Sequence, residues 1–201
     1  MSRWLVTGGS GFLGINLIRA LVEKGHEVVS IDIAPFTYPD MVDRIDHRIV
    51  DIRDRKAVDE CMSQGIDVFM HGAAALPLYK KSDILSTNID GSRNVFESAK
   101  EYGVNRGIYI SSTAVYGIPE KHPLFEDDPL VGVGPYGYTK IEAEKMVKQF
   151  REKGMTITNE TQVICRAGEA WGFCHFLPVG FRRQKFSHDR KRRESVSASA
   201  C

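Results

Sequence analysis

The sequence contains no long hydrophobic run. No stretch approaches the roughly 20 apolar residues that a membrane-spanning helix needs. The apolar start at residues 4–6 is also too short for the core of a secretory signal. We therefore expect a cytoplasmic protein that does not enter a membrane.

Cysteine is scarce, with four residues in a chain of 201. These cysteines have no paired spacing, and a reducing compartment would leave them as thiols. No Cys-X-X-Cys or His-X-X-X-His pair stands among the side chains that could bind zinc. The sequence thus predicts neither a disulfide framework nor a metal site from Cys61, Cys165, Cys174, Cys201, His175 and His188.

A large net charge is absent too, but the charge is unevenly spread. From residue 159 onward eight Lys or Arg stand against four Asp or Glu, while the preceding residues carry 19 against 22. The first part alternates strand-like and helix-like periods, and the end has neither a sustained period nor turn punctuation. We predict one domain over residues 1–158, followed by a poorly ordered tail over 159–201.

Within the first part, apolar strand candidates alternate with helical patterns. The strands are predicted at residues 3–7, 27–32, 48–51, 67–70 and 106–111, with a sixth opening at 155–158. The longest helices are predicted at 86–102 and 136–153. This alternation indicates an α/β Rossmann fold, a doubly wound parallel sheet with flanking helices, incomplete at its C-terminal side.

A glycine-rich turn follows the first strand. Gly8, Gly11 and Gly14 stand between strand and helix, where glycine permits a tight turn and a close approach to a pyrophosphate. Asp32 ends the second strand, 18 residues beyond Gly14, at the place where an acid meets the ribose hydroxyls and disfavours the extra phosphate of NADP. Strand, turn, helix, strand and acid in this order predict an NAD site.

A tyrosine and a lysine lie four residues apart at the start of the last long helix. Tyr136 and Lys140 therefore share one helix face. A phenol titrates near 10, so a nearby ammonium and a positive nicotinamide must lower its pKa before it acts as a base. Taken alone, such a pair is more often an ordinary surface pair.

The motifs taken together resemble the extended short-chain dehydrogenase/reductases, the NAD-dependent sugar epimerase/dehydratase family. The resemblance rests on TGGSGFLG, Asp32, Asp51-Ile52, HGAAA from His71, YISSTAVYG from Tyr109, and the pair Tyr136 and Lys140. It covers residues 3 to about 158. As a set, these motifs are highly specific.

The resemblance assigns roles to individual positions. The cofactor-binding residues it implies are Gly8, Gly11, Phe12, Leu13 and Gly14 at the pyrophosphate, Asp32 at the ribose, Asp51 and Ile52 at the adenine, Ala73, Ala74 and Ala75 beside the cofactor, and Tyr136 and Lys140. For each alanine, simple core packing is an equal alternative. Ser112 matches the hydroxyl that bonds the reacting oxygen, Tyr136 the acid/base and Lys140 its partner. Ser111 is expected to be structural, and Asn88 to brace the central helix.

The same resemblance implies an activity and a partner. The tyrosinate would take a hydroxyl proton from a nucleotide sugar as hydride leaves for the nicotinamide, giving a ketosugar. Two long helices, 86–102 and 136–153, could pair in a homodimer as a four-helix bundle. A catalytically silent NAD-binding module stays open as an alternative function, and so does a basic-tailed nucleic-acid binder.

The last 40 or so residues do not match the family in frame. Read one nucleotide downstream, the codons permit PKSFVGPERLGVFAIFY from Thr161 and FPMIGNGENRYQLLHV from Phe186, and both strings look like the family's missing segments. The hypothesis is a frameshift near residues 158–160, which would leave the chain truncated and inactive. The basic residues 182–193 would then be an accident of codon composition, the alternative being a patch that attracts nucleic acid or membrane.

Overall fold

The strands predicted from the sequence form a single sheet. The computed structural model describes residues 1–118 and 124–162, so most of the tail, with its basic stretch and three of the four cysteines, lies outside the described residues. The strands are β1 (Arg3–Thr7), β2 (Glu27–Asp32), β3 (Asp46–Ile49), β4 (Val68–His71), β5 (Arg106–Ser112) and β6 (Thr156–Gln162).

All six strands are parallel, in the order β3-β2-β1-β4-β5-β6. This order confirms the predicted Rossmann sheet. The strand order reverses between β1 and β4, where Thr7 pairs with His71 at the carboxyl edge. In open parallel sheets, ligands bind in the crevice at this reversal.

Five α-helices connect the strands: α1 (Phe12–Glu23), α2 (Arg55–Met62), α3 (Lys81–Leu85), α4 (Ser92–Glu101) and α5 (Gly134–Glu152). Gly25 and Gly154 follow α1 and α5 with φ values of 78° and 89°, a left-handed conformation that glycine adopts without strain. The Asp54 side chain caps α2 by accepting a hydrogen bond from the Ala57 amide at 3.2 Å.

Two elements differ from the sequence prediction. Strand β3 lies two residues earlier than predicted, because Asp46–Ile49 pairs with β2 while Val50 is already in the loop. The helix predicted over 86–102 begins at α3 and passes through a π-helical turn, Ser86–Gly91, before α4. That turn holds the buried Asn88, whose contacts are described with the site.

Apolar clusters cover both faces of the sheet. On one face α2, α4 and α5 pack around Phe96, whose ring lies 5.8–6.1 Å from those of Phe69, Tyr109 and Phe150. On the other face α1 packs Ile15 and its neighbours against β1 and β4. Burial of these apolar side chains is the main stabilising contribution to the fold.

Strand β6 passes through position 158, where the sequence places the domain boundary. It pairs with β5 along its whole length, from Arg106 opposite Thr156 to Ser112 opposite Gln162. In the part of the chain that the structure describes, no helix has the length and apolarity needed to cross a bilayer. Over the same residues, no three His, Cys, Asp or Glu side chains form a group that could hold a metal ion.

Candidate active site

The glycine loop joins β1 to α1 at the point where the strand order reverses. Gly8 has a φ of 77°, and a Cβ there would lie 2.8 Å from the Ala73 nitrogen in the loop after β4. A Cβ at Gly14 would lie 2.2 Å from the Gly8 carbonyl oxygen. Both glycines are therefore required for packing within the protein itself.

Gly11 differs from these two glycines. Its φ is −78°, a value open to any residue, and among the described residues a Cβ there would have only the Gly8 oxygen within 4 Å, at a close 3.3 Å. Gly11 is the N-cap residue of α1, which begins at Phe12, and it has no side chain with which to cap the helix. The space beside Gly11 thus faces a helix N-terminus, where an anion is favoured.

Asp32 ties this loop to the end of β2. One carboxylate oxygen accepts the Ser10 amide at 3.0 Å, and the other accepts the Ala34 amide at 3.0 Å. The carboxylate therefore lies at the carboxyl edge beside the glycine loop. Its remaining lone pairs can accept further hydroxyl donors.

Asp51 and Ile52 are placed differently from one another. Arg53 pairs with the Asp51 carboxylate at 2.6 Å, and this hydrogen bond holds the pKa of that carboxyl below its usual range. Ile52 is buried, and a Cβ at Gly91 would come within 2.7 Å of it. The Ile52 side chain is therefore part of the core.

The three alanines follow β4 on the other side of the strand-order reversal. Ala73 and Ala74 are half-buried and Ala75 is buried. The Ala75 amide donates to Asn88 Oδ1 at 2.7 Å, and Asn88 Nδ2 donates to the Ala75 carbonyl at 3.1 Å. Asn88 also donates to Thr139 Oγ1 at 3.1 Å, so it joins this segment to α5.

A buried histidine, His71 on β4, links β1 to α4 through its two ring nitrogens. Ser92 Oγ donates to the Asn88 carbonyl at 2.6 Å, so it accepts from His71 Nε2–H at 2.9 Å. Nδ1 of His71 then accepts the Thr7 hydroxyl at 2.7 Å. Burial, and to a smaller extent the charge of Lys140, lowers the pKa of His71 to about 3, and the ring is neutral.

Ser112, Tyr136 and Lys140 meet at the carboxyl end of β5. Ser112 is the last residue of that strand, and its hydroxyl accepts the Ala114 amide at 3.2 Å. Lys140 is only 3% exposed, and its Nζ donates to the Ile110 carbonyl at 2.9 Å. The same Nζ lies 5.8 Å from the centre of the Tyr136 ring.

The protonation of the two titratable groups follows from their burial. Burial raises the pKa of Tyr136, and a hydrogen bond from Ser112 opposes the rise only in part. Tyr136 is therefore a neutral phenol, although the sequence-based mechanism needs a lowered pKa. Burial lowers the pKa of Lys140 to about 8, so the amine still carries its charge at neutral pH.

Comparison with known proteins agrees with this geometry. The model of the family described as NAD dependent epimerase/dehydratase matches residues 4–164. The chain belongs to the NAD dependent epimerase/dehydratase family. The match spans nearly all the motifs on which the resemblance rests, from the glycine loop to Tyr136 and Lys140, and it extends beyond residue 158, where the resemblance was expected to end.

Among relatives in this family, the low-salt glycan biosynthesis protein Agl12 of Haloferax volcanii is 33% identical over 74% of this chain and 51% of its own length. The UDP-glucose 4-epimerase of Bacillus subtilis is 30% identical over 79% of this chain and 50% of its own length. A UDP-glucose 4-epimerase structure from Stenotrophomonas maltophila, with bound NAD and formylated UDP-arabinopyranose, is 27% identical with a TM-score of 0.71, covering 80% of this chain and 52% of that one. The chain spans about half the length of these relatives.

Sequence reasoning missed several polar residues in this epimerase/dehydratase site. They are Ser92, Thr139 and Glu144, and Thr7 and His71 were noted only as parts of motifs. A detectable signal existed for Glu144, which continues the four-residue spacing of Tyr136 and Lys140. The others were hidden because Ser and Thr are common at solvent-facing helix and strand positions, and only the fold shows that they are buried.

Proposed function

We propose that this chain binds NAD along the carboxyl edge of its sheet, and that Ser112, Tyr136 and Lys140 carry proton transfer in NAD-dependent oxidation and reduction of a nucleotide sugar. The observation that carries the proposal is the convergence of these three side chains at the end of β5, on the same sheet edge as the glycine loop and Asp32.

The chain's own residues fit NAD. The space at Gly11 lies at the N-terminus of α1, a position that suits the pyrophosphate. Asp32 suits the ribose hydroxyls, and Asp51, held by Arg53, lies after the next strand toward the adenine side. NAD, when bound, supplies the hydride acceptor and donor, and its positive nicotinamide favours the tyrosinate.

Each catalytic side chain has a defined task. Tyr136 holds a proton at its phenol oxygen and exchanges it with a sugar hydroxyl. Ser112 hydrogen-bonds the same sugar oxygen and orients it. Lys140, charged below pH of about 8, stabilises the negative phenolate after the proton has left.

The nucleotide sugar is inferred from relatives. The Bacillus subtilis relative is named a UDP-glucose 4-epimerase, and the Stenotrophomonas structure holds a UDP-sugar. A second candidate function is an NAD-binding module without turnover. The chain spans about half the length of these relatives, so the complete activity of the relatives is not assigned to it.

One experiment separates the two functions. Purified chain is mixed with NAD and UDP-glucose, and both NAD binding and formation of an epimerised UDP-sugar are measured. Turnover that disappears in Tyr136→Phe, while NAD affinity stays within a few fold, supports the enzyme. NAD binding without turnover supports the silent module, and turnover unchanged in Tyr136→Phe contradicts the role of the tyrosine.

We also propose a homodimer through α4 and α5, which lie side by side on one face of the sheet. Their outward positions are largely charged: Arg93, Glu97, Lys100, Glu101, Lys145 and Lys148 are exposed. A dimer here would be held by polar pairs and should therefore weaken at high salt. Sedimentation at two ionic strengths tests this.

A further inference from the structure

The face of α5 that carries Tyr136 and Lys140 continues one turn further, to Glu144. Residues spaced by four lie one above the other on a helix, so the three side chains form a single stripe. The stripe faces the carboxyl end of β5, where Ser111 and Ser112 end the strand. Neither the proposed chemistry nor the motif uses Glu144.

Glu144 has a direct contact with β5. Its carboxylate accepts a hydrogen bond from the hydroxyl of Ser111. Ser111 is only 2% exposed, and it is the residue next to Ser112 in the strand. The half-buried carboxylate thus fixes the end of the strand that presents the Ser112 hydroxyl.

Glu144 also acts on Lys140. The Lys140 ammonium is buried, and its hydrogen bond goes to a neutral carbonyl, that of Ile110, at 2.9 Å. The groups facing it from packed elements are neutral His71 on β4, the Tyr109 ring at 5.0 Å on β5, and Tyr136 and Glu144 on α5 itself. Among the described residues, Glu144 is the carboxylate whose charge opposes the effect of burial on Lys140.

We propose that Glu144 is a positioning residue of this active site, whose carboxylate keeps the buried Lys140 ammonium charged and holds the end of β5 through Ser111. A buried cation without a nearby anion loses its proton more readily, because desolvation penalises the charged form. A neutral Lys140 could not stabilise the Tyr136 phenolate. The catalytic meaning of this role rests on the proposed function, but the effect on Lys140 does not.

The direct test is the pKa of Lys140 in the 201-residue chain, measured by NMR of isotope-labelled lysine side chains, with Lys140→Met used only to assign the signal. In Glu144→Gln the amide oxygen can still accept from Ser111, so the change removes charge and little else. We expect the pKa of Lys140 to fall by about one unit, a tenfold change in the proton equilibrium.

Two variants serve as controls. Glu142→Gln lies on the same helix but loses only an exposed pair with Lys145, so the pKa of Lys140 should not change. Ser111→Ala removes the hydrogen bond and keeps the charge, and the pKa should fall much less than in Glu144→Gln. An unchanged pKa of Lys140 in Glu144→Gln, or an equal fall in Ser111→Ala, would overturn the proposal.

The same proteins are titrated with NAD between pH 6 and 9. In Glu144→Gln, Lys140 should lose its proton at a lower pH than in the wild type. The pH above which NAD affinity declines should therefore fall by the same number of units as the pKa of Lys140. If the wild-type chain binds no NAD at any pH, the proposed function fails, and the NMR result still decides what Glu144 does to Lys140.

Discussion

Two glycines of the loop after β1 do different work, although the sequence motif treats them alike. Gly14 is required because the Gly8 carbonyl oxygen would lie 2.2 Å from any Cβ, whereas a Cβ at Gly11 would lie 3.3 Å from the same oxygen, a close contact that a shift of a few tenths of an ångström relieves. Packing accounts for Gly14, and we propose that the bound cofactor accounts for Gly11. Substitution of each glycine by alanine should therefore have a different effect, on stability at Gly14 and on cofactor binding at Gly11.

We predict that Gly11→Ala keeps the unfolding midpoint of the wild type and lowers NAD affinity about tenfold or more, because the methyl group occupies the pyrophosphate space. Gly14→Ala should instead lower the free energy of unfolding by about 1–3 kcal/mol, the usual cost of overpacking. Thermal unfolding and NAD titration of both variants check this. Normal NAD affinity in Gly11→Ala would show that the pyrophosphate does not lie beside this residue.

The buried His71 makes a prediction about acid stability. Its pKa is lowered from 6.5 to about 3 in the folded protein, so between these values the unfolded chain binds a proton that the folded chain does not. The stability contributed by the neutral ring is present above pH 6.5 and is lost as the pH falls toward 3. From pH 6.5 to 4.5 this loss is about 2–3 kcal/mol.

His71→Gln keeps a donor and an acceptor but has no group that titrates. Urea unfolding at a series of pH values should therefore show that the free energy of unfolding falls less steeply with acid in His71→Gln than in the wild type. The difference in slope should correspond to about one bound proton. Parallel pH profiles in the two proteins would mean that His71 is protonated in the fold.

At the scale of elements, most of the architecture could be predicted from the sequence, because apolar runs of strand length alternate with helical periods. β1, β2 and α5 lie close to their predicted places, and the glycine loop lies between β1 and α1. The π-helical turn at Ser86–Gly91 could not be predicted, since no period in the sequence marks a single extra residue in a helix. Within this turn Asn88 faces the backbone of Ala75, a tertiary contact that no local pattern in the sequence reveals.

The contacts of Asn88 give a prediction at this scale. Asn88→Ala leaves the Ala75 amide and carbonyl without their partner, and Ala75 is buried. We expect a loss of about 2–4 kcal/mol in unfolding free energy. Hydrogen exchange at the Ala75 amide should also become faster.

Asn94→Ala is the matched control on the same helical segment. Asn94 bonds the carbonyls of Ile52 and Arg53 at 3.0 Å and does not contact the loop after β4. Exchange at Ala75 should stay at the wild-type rate in this variant. Equal acceleration in both variants would mean that Asn88 has no special role in holding the alanine segment.

At the scale of the whole molecule, the proposed change of reading frame near residues 158–160 falls inside β6, which pairs with β5 through Gln162, and inside the family match, which reaches residue 164. Strand β6 lies at the edge of the described sheet, and parallel strands that are covered on both faces are usually apolar runs. In β6, however, Asn159 Oδ1 is buried without a hydrogen-bond partner, and burial raises the pKa of Glu160. Both residues lie within the span of the proposed change.

We predict that DNA sequenced independently across codons 155–162 carries a one-nucleotide difference, and that restoring the frame yields a longer chain. That chain should unfold at a higher temperature, because it would bury more apolar surface than the present one. Both chains are compared by thermal unfolding. The proposal would be contradicted if the gene shows no change of reading frame and the restored-frame chain does not unfold at a higher temperature.

The central claim is that the carboxyl edge of this sheet binds NAD, with Asp32 at the ribose. The most direct measurement is a fluorescence titration of the unmodified chain with NADH and with NADPH at the same salt concentration. We predict that NADH binds at least about tenfold more tightly, because the 2′-phosphate of NADPH would face the Asp32 carboxylate, and that Asp32→Asn narrows this difference. Equal affinities for the two cofactors, or no binding of either, would contradict the claim.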